Sequence, residues 1–186
     1  MQREQRGLTL LELLFTLGIA ALLASMAIPA FANMAKRSNS LTLAYELVGL
    51  VQFARTEAIN QQVTVTLCGS RDGLICTNDW SKTILVFTDY NNNGAMDGSD
   101  ALLRSTASLK NGETLYWRSF RNKAYLQMEP NGMTYFQNGN FTYCPADGNE
   151  HFALHWIINV SGHLRIAGDY NKNGIPDMAD GKDISC

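Results

Sequence analysis

Two acidic loops repeat one another in this 186-residue chain. Asp89-Tyr-Asn-Asn-Asn-Gly94-Ala-Met-Asp97-Gly-Ser-Asp100 and Asp169-Tyr-Asn-Lys-Asn-Gly174-Ile-Pro-Asp177-Met-Ala-Asp180 agree at seven of twelve positions. Each places oxygen-bearing side chains at positions 1, 3, 5, 9 and 12 with glycine at 6: Asp89, Asn91, Asn93, Asp97 and Asp100, then Asp169, Asn171, Asn173, Asp177 and Asp180. That spacing gathers hard oxygen donors around a calcium ion when helices flank the loop. Here the flanks read as strands, position 12 carries the shorter Asp, and Pro176 stands where a hydrophobic residue would pair two such loops. Asn-Gly is itself a strong hairpin-turn signal. Hairpin turns are therefore the expected structure, calcium is the alternative, and no other cofactor is implied.

The remaining reactive side chains are sparse. His151 and His155 have an H-x-x-x-H spacing, but residue 152 is Phe rather than the Glu of a zinc protease. On a strand the two rings would stand about 13 Å apart, too far to share a metal. No nucleophile elbow, phosphate loop or dinucleotide fingerprint is present, so an enzyme is not expected. Cysteines occur at 68, 76, 144 and 186. An even number suggests disulfides in an oxidising compartment. Four cysteines allow three connectivities; the economical one joins Cys68 to Cys76 and Cys144 to Cys186, because a chain end frays unless it is held. Between 104 and 123, five basic residues, among them Arg118, Arg121 and Lys123, face one acid, Glu113, with Tyr116, Trp117 and Phe120 interleaved. A solvated strand face over core aromatics is the expected reading; contact with nucleic acid or another subunit is the alternative.

The elements that must position these groups divide the chain sharply. Residues 13–35 are 23 consecutive uncharged, mostly apolar residues, about 34 Å of helix and enough to cross a bilayer core. The 151 residues from 36 onward carry 13 basic and 15 acidic groups and have the size of one domain. Leu41, Tyr45, Val48, Val51 and Ile59, with Ala44 and Ala58, recur at helical steps and extend the helix to about Gln62, with a bend at Pro29. From Val63 the period becomes two. Strands are predicted at 63–67, 84–88, 101–106, 114–120, 124–128, 152–160 and 164–167, giving an α+β fold with antiparallel sheet. A secretory signal peptide cut after Ala30-Phe31-Ala32 would leave a released domain. The apolar run is too long for that, and Glu12, a costly carboxylate at its edge, would be unexplained.

Gly7-Leu8-Thr9-Leu10-Leu11-Glu12 resembles the class III signal of type IV pilins and type II secretion pseudopilins. The resemblance implies a leader, residues 1–7, removed after Gly7 by prepilin peptidase, and methylation of the amine on Leu8. It places Glu12 fifth and Pro29 twenty-second in the mature chain, positions where the family carries a glutamate and a helix-kinking proline. Leu8 departs from the usual Phe. By the same resemblance, residues 8–35 form the transmembrane and assembly helix and residues 36–186 a periplasmic or extracellular head. Glu12 would pair with a neighbouring subunit's terminal amine, fixing axial register. Gln52-Phe-Ala-Arg-Thr-Glu-Ala58 resembles the helix ending of the GspH-, FimT- and FimU-like group. FimT-like proteins are associated with DNA uptake through a late Gly-Arg-x-Arg; this chain has Gly162-His163-Leu164-Arg165, with one arginine replaced.

The implied function is structural. A minor pilin, held by one span in the inner membrane with its head in the periplasm, would assemble with other pilins through its N-terminal helix into a pilus tip or initiation complex. A type II secretion pseudopilin is the first alternative. A fibre-displayed DNA-uptake or adhesion module is the second, with Arg118, Arg121, Lys123, His163 and Arg165 as its DNA contacts.

Overall fold

The change of period at residue 63 marks a true boundary between helix and sheet. The structure, a computed structural model, describes residues 9–186 and begins with one helix, α1, Leu10–Gln61. Gly7 and Leu8 lie outside the described residues. Nine strands follow: β1 (Val65–Ser70), β2 (Cys76–Thr77), β3 (Thr83–Thr88), β4 (Leu102–Ser105), β5 (Thr114–Ser119), β6 (Tyr125–Met128), β7 (Gly139–Cys144), β8 (Leu154–Ile158) and β9 (Leu164–Ile166). They form two antiparallel sheets. The first has the order β2-β1-β3-β4, with β6 also paired to β1; the second is β5-β7-β8-β9. The fold is α+β, as the succession of one long helix and many strands requires.

The chain divides into two compact units, residues up to 39 and residues 40–186. In the first, α1 runs unbroken through Pro29, although proline cannot donate to the carbonyl one turn earlier. In the second, the helix buries Ser40, Ala44, Leu47, Leu50, Val51, Ala54 and Ala58. Their spacing is that of one helical face. This face overlaps the predicted stripe at Ala44, Val51 and Ala58 and departs from it elsewhere. Leu41, Tyr45 and Ile59 are exposed, Tyr45 at 75%. The buried face is instead rich in alanine, and Ala54 and Ala58 have no exposed surface. These small side chains share one core cluster with Trp80, Trp117 and Trp156, which supply its bulk. The periodicity placed Ala44, Val51 and Ala58 correctly, and erred where it added the large residues Leu41, Tyr45 and Ile59. Gln62, with φ 54, takes the left-handed conformation that ends the helix.

The core is aromatic where the sheets meet. Phe141 lies 4.4 Å from the Trp117 ring and 5.0 Å from that of Trp80, the latter edge-on. Such pairs contribute about 0.5–1.5 kcal/mol beyond their burial. Phe141 belongs to β7, a strand absent from the sequence prediction, as was the two-residue β2. The Asn-rich approach, Gln137-Asn-Gly-Asn140, reads as a turn, yet Phe141 and Tyr143 alternate with Asn140 and Thr142 as a half-buried strand should. Burial pushes the Tyr143 hydroxyl up to about 12, with the charge of Glu113 adding to the effect.

Residues 168–186 fold back over the outer face of the second sheet. Cys186 is bonded to Cys144 on β7, Ile184 is buried, and the Ala167 amide donates to the His155 carbonyl at 2.8 Å. His155, outward on β8, is thereby only 2% exposed, and its Nδ1 lies 2.9 Å from the Thr142 hydroxyl. Desolvation lowers its pKa, so the ring is neutral at pH 7. His151 sits apart in a 3-10 turn, Glu150–Phe152, rather than on the predicted strand. Cys68 pairs with Cys76 across the hairpin loop between β1 and β2.

The two disulfides close loops of different length, with sequence separations of 8 and 42. Loop-closure entropy assigns about 2.5 kcal/mol to the shorter and about 4 kcal/mol to the longer. Cys186→Ser should therefore lower unfolding free energy more than Cys76→Ser, measured by denaturant titration. It should also expose the 168–186 segment to hydrogen exchange.

Candidate functional site

In the first unit the helix begins with a reciprocal cap. Thr9 N and Oγ1 each donate to Glu12 Oε2 at 3.0 Å, and Glu12 N donates to Thr9 Oγ1 at 3.3 Å. This is a capping box, with Thr9 at the N-cap and Glu12 three residues on. Sequence reasoning singled out Glu12 but missed Thr9, although the T-x-x-E spacing before an apolar run is the signal for it. The carboxylate thus has a local partner that holds it at the helix start, on the positive end of the dipole. Beyond it every large apolar residue is exposed, from Leu10 at 77% through Phe15, Leu22 and Phe31 to Met34 at 70%. By length and composition this stretch can cross a membrane.

In the second unit the two repeated loops are built around their first aspartates. Asp89 is fully buried. Its Oδ2 accepts from Thr66 Oγ1 at 2.7 Å, Gln127 Nε2 at 2.9 Å and Gly94 N at 2.9 Å, and its Oδ1 from Asn93 N at 3.1 Å. Gly94, φ 77, is required here, since a Cβ would collide with the Tyr125 ring. Asp169 repeats the local part, accepting from Asn173 N and Gly174 N, but lies at the surface.

The second halves of the loops do not follow the sequence repeat. In the first loop Asn91 and Asn93 donate their amides to Asp97, and Tyr90 N donates to Asp100. In the second, Asn171 and Asn173 donate to Asp183 at 2.8 and 2.6 Å, and Tyr170 N donates to Asp177. Asp183 thus takes the part of Asp97, and Asp177 that of Asp100. Asp180 instead faces Lys182 at 3.5 Å. An isolated antiparallel bridge between residues 177 and 183 produces the change of register. Those amides hold the Asp183 carboxyl below its usual range. The Asn91 and Asn93 oxygens accept from the Asn93 and Ala95 amides, and the Asn171 and Asn173 oxygens from the Asn173 and Ile175 amides, so both loops close on themselves as Asx turns. Among the described residues, no group of three or more His, Cys, Asp or Glu is placed to hold a metal ion.

The basic residues gather at one end of the second sheet without forming a single cluster. Arg118, Asn140, Ile157 and Arg165 are consecutive partners across β5, β7, β8 and β9, so the two arginines share a face and a row. Three strand spacings, about 14 Å, separate them. His163 is exposed in the β8–β9 turn at that same end. Arg121 and Lys123 belong to the β5–β6 connection, where the Arg121 guanidinium lies 5.6 Å from the Phe136 ring centroid and the Lys123 ammonium 5.6 Å from that of Tyr125. They line a groove of their own with Tyr135, Gln127 and Gln137.

Comparison with known proteins agrees with this architecture. The profile of the family described as type II transport protein GspH matches residues 43–162, and the prokaryotic N-terminal methylation motif matches residues 2–28. The chain belongs to the GspH family of minor pilins and pseudopilins, which are structural proteins. Among solved structures, the type IV minor pilin FimU of Pseudomonas aeruginosa aligns with a TM-score of 0.55 at 20% identity, covering 73% of this chain and 92% of that one. A second crystal form of FimU gives 0.51 at 19%, covering 69% and 92%. At those identities the likeness is one of fold. The minor pseudopilin EpsH of Vibrio cholerae aligns at 0.47 with 14% identity over 69% of this chain and 96% of its own. No curated protein matches the chain in sequence.

The contrast in burial between the two loop aspartates has a measurable consequence. Asp89→Ala leaves the buried Gln127 amide and Thr66 hydroxyl without an acceptor and should cost roughly 3 kcal/mol of unfolding free energy. Asp169→Ala, whose partners reach water, should cost about 1 kcal/mol or less. The same melts run with millimolar calcium should show no rise in Tm. A rise abolished by Asp169→Ala would assign the loops to cation binding through linkage.

Proposed function

We infer that the chain is a minor pilin of a type IV pilus, made as a precursor, cut after Gly7 and assembled at the fibre tip or in its initiation complex. The observation that carries this reading is the uniformly exposed apolar surface of α1 from Leu10 to Met34, headed by a carboxylate. Such a surface needs lipid or other helices around it, since water would charge about 25 cal/mol for each Å² left exposed. The methylation motif over residues 2–28 supports processing at this segment. The GspH family described as type II transport supports the secretion pseudopilin as the alternative, whereas the fold shared with a type IV minor pilin supports the pilus. Before assembly the helix would span the inner membrane and leave the head, from about residue 36, in the periplasm.

The cap at Thr9 adds a step to this reading. In the unassembled subunit Glu12 is held by Thr9; in the fibre it would exchange part of that bonding for the methylated amine of a neighbour. A carboxylate with a local partner enters the membrane at lower cost than a bare one, and a buried charge deprived of its counterpart costs several kcal/mol. Register would follow from that penalty.

The mature protein should begin at Leu8 with one added methyl group, read by intact mass. A start at Asn33 would instead indicate an ordinary secreted domain. Glu12→Ala should be inserted and processed normally yet be missing from sheared fibres by immunoblot. Deletion of the gene should reduce surface piliation and leave exoprotein secretion unchanged; the reverse result would establish the secretion alternative.

A DNA-contacting role is a second reading, favoured by the common row and end shared by Arg118 and Arg165. His163 is exposed in the turn at that same end. Binding to a short duplex should be weak and lost steeply with salt. Arg165→Ala should weaken it in an electrophoretic or anisotropy titration. Undetectable affinity at low salt, or none lost in that variant, removes the reading.

A further inference from the structure

A groove of about 380 Å³ lies between β6, the β5–β6 connection and the 135–137 segment. That volume falls in the range of small-ligand sites. Its floor is polar and built. Gln127 and Gln137 are 3% and 2% exposed and lock together, Gln127 N donating to Gln137 Oε1 at 2.8 Å and Gln137 Nε2 to Gln127 Oε1 at 2.9 Å. Gln127 Nε2 gives its other bond to the buried Asp89 at 2.9 Å. A carboxamide nitrogen carries two protons, so each side chain keeps one N–H and one oxygen lone pair for a ligand. These groups are fixed before any ligand arrives, which lowers the ordering cost of binding.

The rim is asymmetric. At one end stand Arg121 and Lys123, each laid against an aromatic ring, with no carboxylate in ion-pair distance of either among the described residues. At the other end stands Glu129. Tyr135 is 53% exposed along the wall and offers one ring face and its hydroxyl. The β6 edge cannot receive an added peptide strand, because the Gln137 side chain already occupies the Gln127 amide.

We propose that this groove binds a carboxylated sugar, a uronate-type unit of an acidic polysaccharide. The carboxylate lies between Arg121 and Lys123, two cations with no carboxylate partner among the described residues, which supply charge-assisted hydrogen bonds. Vicinal hydroxyls, each both donor and acceptor, meet the spare N–H groups and oxygens of Gln127 and Gln137. The apolar C–H face of the pyranose covers Tyr135. Glu129 accepts from a far hydroxyl and repels a second anion there. A nucleic-acid strand, with a phosphate at every unit, is therefore matched less well. A subunit displayed on a fibre would thereby hold an acidic surface glycan.

The full mature chain in detergent would be titrated by calorimetry with trigalacturonate, with maltotriose as the neutral sugar and with trithymidylate as the anionic nucleic acid. Trigalacturonate should bind and maltotriose should not. Arg121→Gln, Lys123→Gln and Tyr135→Ala should each weaken binding by roughly tenfold, the worth of one charge-assisted hydrogen bond or a comparable contact. All three side chains are exposed, so unchanged melting curves verify the fold of each variant. Absence of trigalacturonate binding at millimolar concentration overturns the proposal. So does equal binding of maltotriose, or an affinity untouched in all three variants. Tighter binding of trithymidylate than of trigalacturonate overturns it in favour of a single-stranded nucleic-acid site.

Discussion

A single unbroken helix has to satisfy two different environments, and the rest of the structure follows from how it does so. Over its first half α1 exposes leucine, isoleucine, phenylalanine and methionine on every side. A helix apolar all round has no solvent-facing side and belongs among lipids or other helices. Over its second half the same helix carries one buried stripe, with alanine at 44, 54 and 58, and a mixed, mostly polar surface elsewhere. Backbone hydrogen bonding continues through both, because an α-helix satisfies its own peptide groups in any solvent. Only the side chains change.

The alanine stripe sets the geometry of the head. The helix contributes small residues to the core, and three tryptophans with Phe141 supply its bulk. The sheets are held at their margins by different means. Asp89 draws β1, β6 and the first acidic loop together through one buried carboxylate. The second sheet is covered on its outer face by the C-terminal segment, fastened through Cys144 and Cys186. Asp89 also fixes the Gln127 amide, so the loop that looks like a cation site in sequence acts as a support for the adjacent groove.

Membership in a family of structural minor pilins and pseudopilins agrees with the exposed apolar surface of the first unit. The helix surface and the groove lie in different units of the chain. Assembly and display can then be served by separate parts of one polypeptide.

The sequence by itself determined the apolar span, the single carboxylate at its head, the transition at residue 63 and the α+β class. These are local properties: a run of side chains and a change of period need no distant partner to be read. It suggested the disulfide pairs from spacing and chain-end logic, and the structure joins those cysteines. Tertiary structure decided what depends on contacts far apart in sequence. The face of α1 that is buried was set by the sheet opposite, so Ala44 and Ala54 lie inside while Tyr45 lies outside. β7, hidden in sequence by its Asn-Gly-Asn approach, is placed as the second strand of its sheet with Phe141 packed on Trp117 and Trp80. Asp183 took the asparagine-binding part that the repeat assigns to Asp177, and the bridge between residues 177 and 183 brings it there. Arg118 and Arg165, 47 residues apart, entered one row through three successive strand registers, and no local spacing encodes that.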